Sequence, residues 1–248
     1  MNQSAMNPVS PSIDKVQPVL DSGPAPASAP APESRALLRR LATIAWASIL
    51  VGIALQSLLL VTKFVGGLVP SSAQVLVDFA QGVTWSFFVC AGIGIGTAIG
   101  KAREAIGGLI GMISAPLALG LARGVQKAVA GAVSAPAQTV LVSLTVVGAV
   151  RAIEYGILGW LLARLAARSE NRARRYLGSG ASVGIPFGAA MTGVTWLMAQ
   201  QAGKPVAAPA LVSTAMNEMF FPIACSFVVY LAAHIGRLVT AVQEPAKA

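Results

Sequence analysis

Along this chain the apolar positions run in long blocks, parted by short clusters of charge, glycine and proline. Within the blocks there is no polar face, and a helix that is apolar all round needs apolar surroundings on every side. At 1.5 Å per residue, about 20 such residues cross roughly 30 Å of hydrocarbon. The pattern predicts six spans, at about 41–64, 83–100, 105–121, 139–165, 181–202 and 211–235, within a transmembrane domain over 35–240. The fold class is therefore all-α, a polytopic helical membrane protein.

Two intervening stretches are less apolar. Gly66, Gly67 and Pro70 end the first block, and the half-apolar segment after them, through Asp78 and Gln81, is expected to lie at the interface or to cap a loop. After the third block, Val125, Ala128, Val129, Ala132 and Val133 share one helix face while Gln126 and Lys127 lie off it. Residues 123–138 are accordingly predicted to form an interfacial or re-entrant segment.

Residues 1–34 carry Pro8, Pro11, Pro18, Pro24, Pro26, Pro30 and Pro32 among Ala and Ser, with too few large apolar side chains to fold alone. They read as a disordered, semi-rigid tail without the apolar core of a cleaved signal, and 241–248 as a short C-terminal tail.

Composition narrows the class. Of 248 residues 55% are hydrophobic and 11% charged, against the roughly 25% charged fraction of soluble domains. The net charge of +9 does not point to nucleic acid, because the basic residues sit at span ends and form no aromatic-studded stripe. They orient the chain instead. With six spans and both termini inside, thirteen Lys or Arg fall on the inner side and four, Lys63, Arg123, Lys127 and Lys204, on the outer, leaving Arg151 in the membrane. Lys and Arg are retained on the cytoplasmic side, so the expectation is an inner (plasma) membrane protein with both termini cytoplasmic.

Cys90 and Cys225, one His and no phosphate-binding glycine loop give no framework for disulfides, metal, haem or ATP, and no cofactor is expected. Cys90 and Cys225 also mark a candidate parallel repeat. The same offset relates Leu76-Val77 to Leu211-Val212 and Ala80 to Ala215.

Candidate chemistry is sparse. Arg151 and Glu154 stand three apart in the fourth span, where each needs a partner. Glu218 beside Asn217 precedes Pro222, which withholds a backbone N–H and frees carbonyls for a cation or proton site. Its alternative is a boundary position, with the span starting at Met219. Pro116, Pro186 and Pro222 are expected to break their helices, as in the discontinuous helices around transport sites. Gly92, Gly96 and Gly100, then Gly107 and Gly111, form a glycine-zipper face that suits helix packing, gating or contact with other subunits.

Two short runs, Gly180-Ala181-Ser182-Val183-Gly184 and Ala233-His234-Ile235-Gly236, resemble the serine and histidine motifs of rhomboid intramembrane proteases, with Val183 where that family has Gly. The resemblance implies Ser182 as nucleophile and His234 as its base. Without another catalytic constellation, the residues read first as a non-enzymatic transporter, permease or channel subunit for a small solute or ion, with Arg151, Glu154, Asn217 and Glu218 along the path. The alternative is a scaffold or assembly subunit. The expected partners are the lipid bilayer and either further copies of the chain or other membrane subunits.

Overall fold

The computed structural model describes residues 32–98, 103–136, 143–203 and 206–243. Most of the 1–34 tail, Gly100 and the last residues of the chain lie outside them. Six helices follow in order, α1 (Pro32–Val65), α2 (Ser72–Ala98), α3 (Arg103–Ala132), α4 (Leu144–Ala167), α5 (Ala173–Gln201) and α6 (Ala208–Gln243), with no strand among the described residues. Each contains a stretch long and apolar enough to cross a membrane. The chain is a multi-pass helical membrane protein.

Its burial is that of a molecule solvated by lipid. Within the apolar windows only 22% of α5 is covered by protein, against 44% of α4 and of α6, so α4 and α6 form the centre of the bundle. Trp46, Ile113, Leu117 and Leu197 stay exposed on the outside, an arrangement that only an apolar medium tolerates. The core gathers Ile44 and Leu55 of α1, Val89 and Ile93 of α2, Ala115 and Ala118 of α3, Leu158 and Leu162 of α4, Val183 of α5 and Val228 of α6. Several hydroxyls inside the spans are satisfied by their own helices. Ser48 Oγ donates to the Ile44 carbonyl, Thr84 Oγ1 to Ala80 and Thr195 Oγ1 to Met191, as a medium without water requires.

Several boundaries differ from those predicted. Residues 72–82 are no interfacial segment but the first turns of α2, and Asp78 is neither exposed nor a cap, since it pairs with Lys63 at 2.8 Å inside the bundle. Likewise, 123–132 is no re-entrant segment but the continuation of α3. The fifth span opens at Ala173 rather than 181, and α6 runs through Gln243. Pro116, Pro186 and Pro222 each lie inside an unbroken helix, so the expected breaks are absent. The helices absorb the missing donors without interruption.

The candidate repeat has a partial counterpart. α1–α2 and α5–α6 are hairpins of similar length, and each turn carries a glycine at positive φ, Gly67 at 81° and Gly203 at 63°. Cys90 and Cys225 meet where α2 and α6 touch. The symmetry is broken by α4, which packs against both α2 and α5, while α1 reaches α6 directly.

Close packing comes from glycine. A Cβ on Gly92 would meet Ser114 of α3, and one on Gly96 would meet the Gly107 Cα at 3.1 Å. On the other face of α3, Gly107 lies against Ala163 and the Gly159 carbonyl, and Gly111 against the Tyr155 carbonyl. The glycine face therefore joins α2, α3 and α4 within one chain. Gly120 and Gly124, which continue the spacing, have nothing near them.

Candidate functional site

Arg151 lies two turns into α4, on the face turned to the bundle centre. Its Nη1 donates to Glu154 Oε2 at 2.7 Å, and its Nη2 donates to Glu218 Oε2 of α6. The expected pair is thus part of a triad in which one guanidinium faces two carboxylates. All three side chains are withdrawn from the surface, with Glu154 0%, Arg151 7% and Glu218 9% exposed. Deprived of water, each charge needs a neighbour, and helix spacing supplies one of them while tertiary packing supplies the other. The guanidinium also stands 5.4 Å from the centroid of the Trp85 ring, a favourable arrangement for a desolvated cation.

Satisfaction is incomplete. Glu154 Oε1 and the Tyr155 hydroxyl are buried without a hydrogen-bond partner. Pro222 lies one turn after Glu218 inside α6 and has no N–H to offer the Glu218 carbonyl. Because α6 begins at Ala208, Glu218 lies about 15 Å along its axis. It lies well inside the apolar span Ala208–His234, and a span beginning at Met219 is excluded.

A cavity of about 750 Å³ leads to this triad, lined by residues from all six helices. Gln56, Lys63, Gln81 and Trp85 face it from α1 and α2, Arg123 from α3, Thr195 from α5, and Asn217 beside Glu218 from α6. The odd-numbered helices contribute residues from their second halves and the even-numbered ones from their first halves, so the cavity lies toward the end carrying the α1–α2, α3–α4 and α5–α6 connections. At the rim the charges are matched. Lys63 pairs with Asp78, which also accepts from Gln74 Nε2 at 2.7 Å.

Arg123 differs. Its Nη1 donates to the neutral Gln126 Oε1 at 2.8 Å, its Nε is buried without a partner, and no carboxylate pairs with it among the described residues.

Trp85, Tyr155 and Phe221 close the inner end, their ring centroids 5.7 to 6.3 Å apart. Past this aromatic floor come Val89, Cys90, Leu158, Cys225 and Val228, all fully buried. The opposite end of the molecule carries the α4–α5 turn, where Glu170 accepts from the backbone N–H groups of Asn171 and Arg172 and pairs with Arg175 at 2.9 Å. Its carboxyl is held below the usual range, first by the Arg172 N–H.

The sequence-predicted site residues thus fall into three groups. Arg151, Asn217 and Glu218 line the cavity, and Glu154 joins them through Arg151. Gly92, Gly96, Gly107 and Gly111 pack helices. Ser182 and His234 are not joined: Ser182 is exposed and donates to the Ser179 carbonyl at 2.9 Å, while His234 stacks on Tyr230. The sequence reading missed the inward role of Arg123 and Gln126, and a second glycine face on α5. Gly180, Gly184 and Gly188 pack against Pro222, Ile223 and Met219 of α6. Their spacing of four was visible all along. No family model, curated protein or solved structure matches the chain.

Proposed function

We propose that this protein is a transporter or permease that moves a small solute across the cell's inner membrane, with both termini cytoplasmic. The observation that carries this reading is a cavity, lined by every helix, that ends at mid-depth on a buried ion triad. Binding sites at the midplane, reached from one side and closed on the other by packed side chains, belong to alternating access. On this reading the cavity faces outward, because Arg164, Arg168, Arg172, Arg174 and Arg175 lie at the opposite end. The glycine faces of α3 and α5 leave smooth backbone surfaces on which helix pairs can shift to open the aromatic floor. An assembly role through Gly92, Gly96, Gly107 and Gly111 would need them free, and the chain packs its own helices against them.

The test is uptake by proteoliposomes from a defined mixture of small metabolites, with trapped solutes read by mass spectrometry. Glu218→Gln and Glu154→Gln should lose flux while the purified protein remains monodisperse. Gly96→Leu should instead fail to assemble. Full flux in both Gln variants would refute the reading.

A further inference from the structure

Resting on the transport reading, we infer that the solute is a zwitterion with an apolar body, of the α-amino acid type, bound with its anionic group at Arg123 and its ammonium toward Glu218. The charges are counted over the described residues of the cavity and the triad. Lys63 and Asp78 cancel at the rim. What is left is separated: a guanidinium on α3 whose partner is a neutral amide and whose Nε is unsatisfied, and a triad on α4 and α6 with one carboxylate in excess.

The triad is buried and Arg123 is half-buried against the cavity wall, where a charge without an opposite partner is unfavourable. At the triad Glu154 is fully buried and its Oε1 has no hydrogen-bond partner. A simple anion would relieve Arg123 and leave the triad as it is; a simple cation would do the reverse. A molecule carrying both charges relieves both at once. The cavity wall also carries the apolar side chains of Leu59, Leu119, Val147 and Met191, against which the body of the solute can rest, and the volume of about 750 Å³ accommodates an amino acid with its side chain. A metal ion is a poorer occupant of the triad, because a hard cation asks for six or more oxygens and no group of three or more candidate metal ligands occurs among the described residues.

The experiment uses the full chain in mild detergent and an equimolar pool of apolar L-amino acids. Two matched pools of the same carbon skeletons lack either the carboxylate or the ammonium. Binding is read as the rise in melting temperature and, independently, by equilibrium dialysis. The amino acid pool should raise the melting temperature by several degrees, and each singly charged pool should bind at least about tenfold more weakly, since one charge-assisted contact is lost. Arg123→Gln should erase the preference over the amines, and Glu218→Gln the preference over the carboxylates. Lys127→Gln, at an exposed position of α3, should change neither.

Equal binding of a singly charged pool, or no binding of any pool, overturns the inference. The wild-type series decides this even if a variant does not fold. Zwitterion binding without flux would remove the transport reading alone, whereas flux of other solutes without zwitterion binding would remove only this inference.

Discussion

Arg151 shows how one side chain can make its neighbours interdependent. Among the described residues it is the sole cation between Glu154 and Glu218, and removing one partner of a buried ionic cluster strands the rest. Arg151→Gln should therefore lower stability by about 3–5 kcal/mol, seen as a fall in melting temperature in detergent. The triple change Arg151→Gln, Glu154→Gln and Glu218→Gln should recover most of that loss, because no charge remains to be stranded. If the triple variant is as unstable as the single one, the three side chains are not acting as a unit. The first contact of this cluster was legible in the sequence, since three residues along a helix is a local relation. The second was not. Glu218 lies 67 residues away, and only the packing of α4 on α6 brings it within reach.

Among the helices, glycine marks where backbones touch. Gly111 faces the Tyr155 carbonyl with no room for a side chain, so Gly111→Leu should destabilise by about 1–3 kcal/mol or prevent assembly. Gly184→Leu should behave alike, because its Cβ position lies 2.6 Å from the Met219 carbonyl. Gly120→Ala is the counter-case: nothing stands within 4 Å, and the change should be neutral or stabilise by up to about 1 kcal/mol. Thermal melts of the three variants side by side check the map.

The same scale explains why two segments were misread. Gln74, Asp78 and Gln81 on α2, and Arg123 and Gln126 on α3, dilute the apolar pattern enough to suggest helices lying at the membrane surface. Yet Gln126 is only 5% exposed, and the others line the cavity. Polarity reports contact with water or polar groups, and an internal cavity supplies these as well as an interface does. Periodicity alone gives no way to tell which. The prolines misled for a related reason: each removes one donor, and the surrounding turns hold the helix without it.

Across the whole molecule, six spans and their alternation were readable because oiliness over some 20 residues has few other physical meanings. The cavity was not readable, since it is a property of how all six helices end. Its openness is directly testable. With Cys90 and Cys225 replaced by Ala, a Cys at Ser213, buried within the fold but lining the cavity, should react with a small membrane-impermeant thiol reagent from one side only. A Cys at Ile113, which is 58% exposed on the outer surface of α3, should not react, because lipid covers it. Reaction at Ile113 with protection at Ser213 would mean that the bundle is turned inside out relative to this description.

One electrical consequence follows from the aromatic floor. If water fills the cavity from the one side it is proposed to face, it carries the potential of that solution, and the membrane voltage falls not over the full bilayer but over the roughly 15 Å of packed side chains beyond Trp85, Tyr155 and Phe221. The field there is about twice that of the surrounding membrane. A unit charge that crosses this short septum works against nearly the whole potential, about 2.3 kcal/mol for each 100 mV. A solute crossing with its charges balanced does not, and its passage is indifferent to voltage.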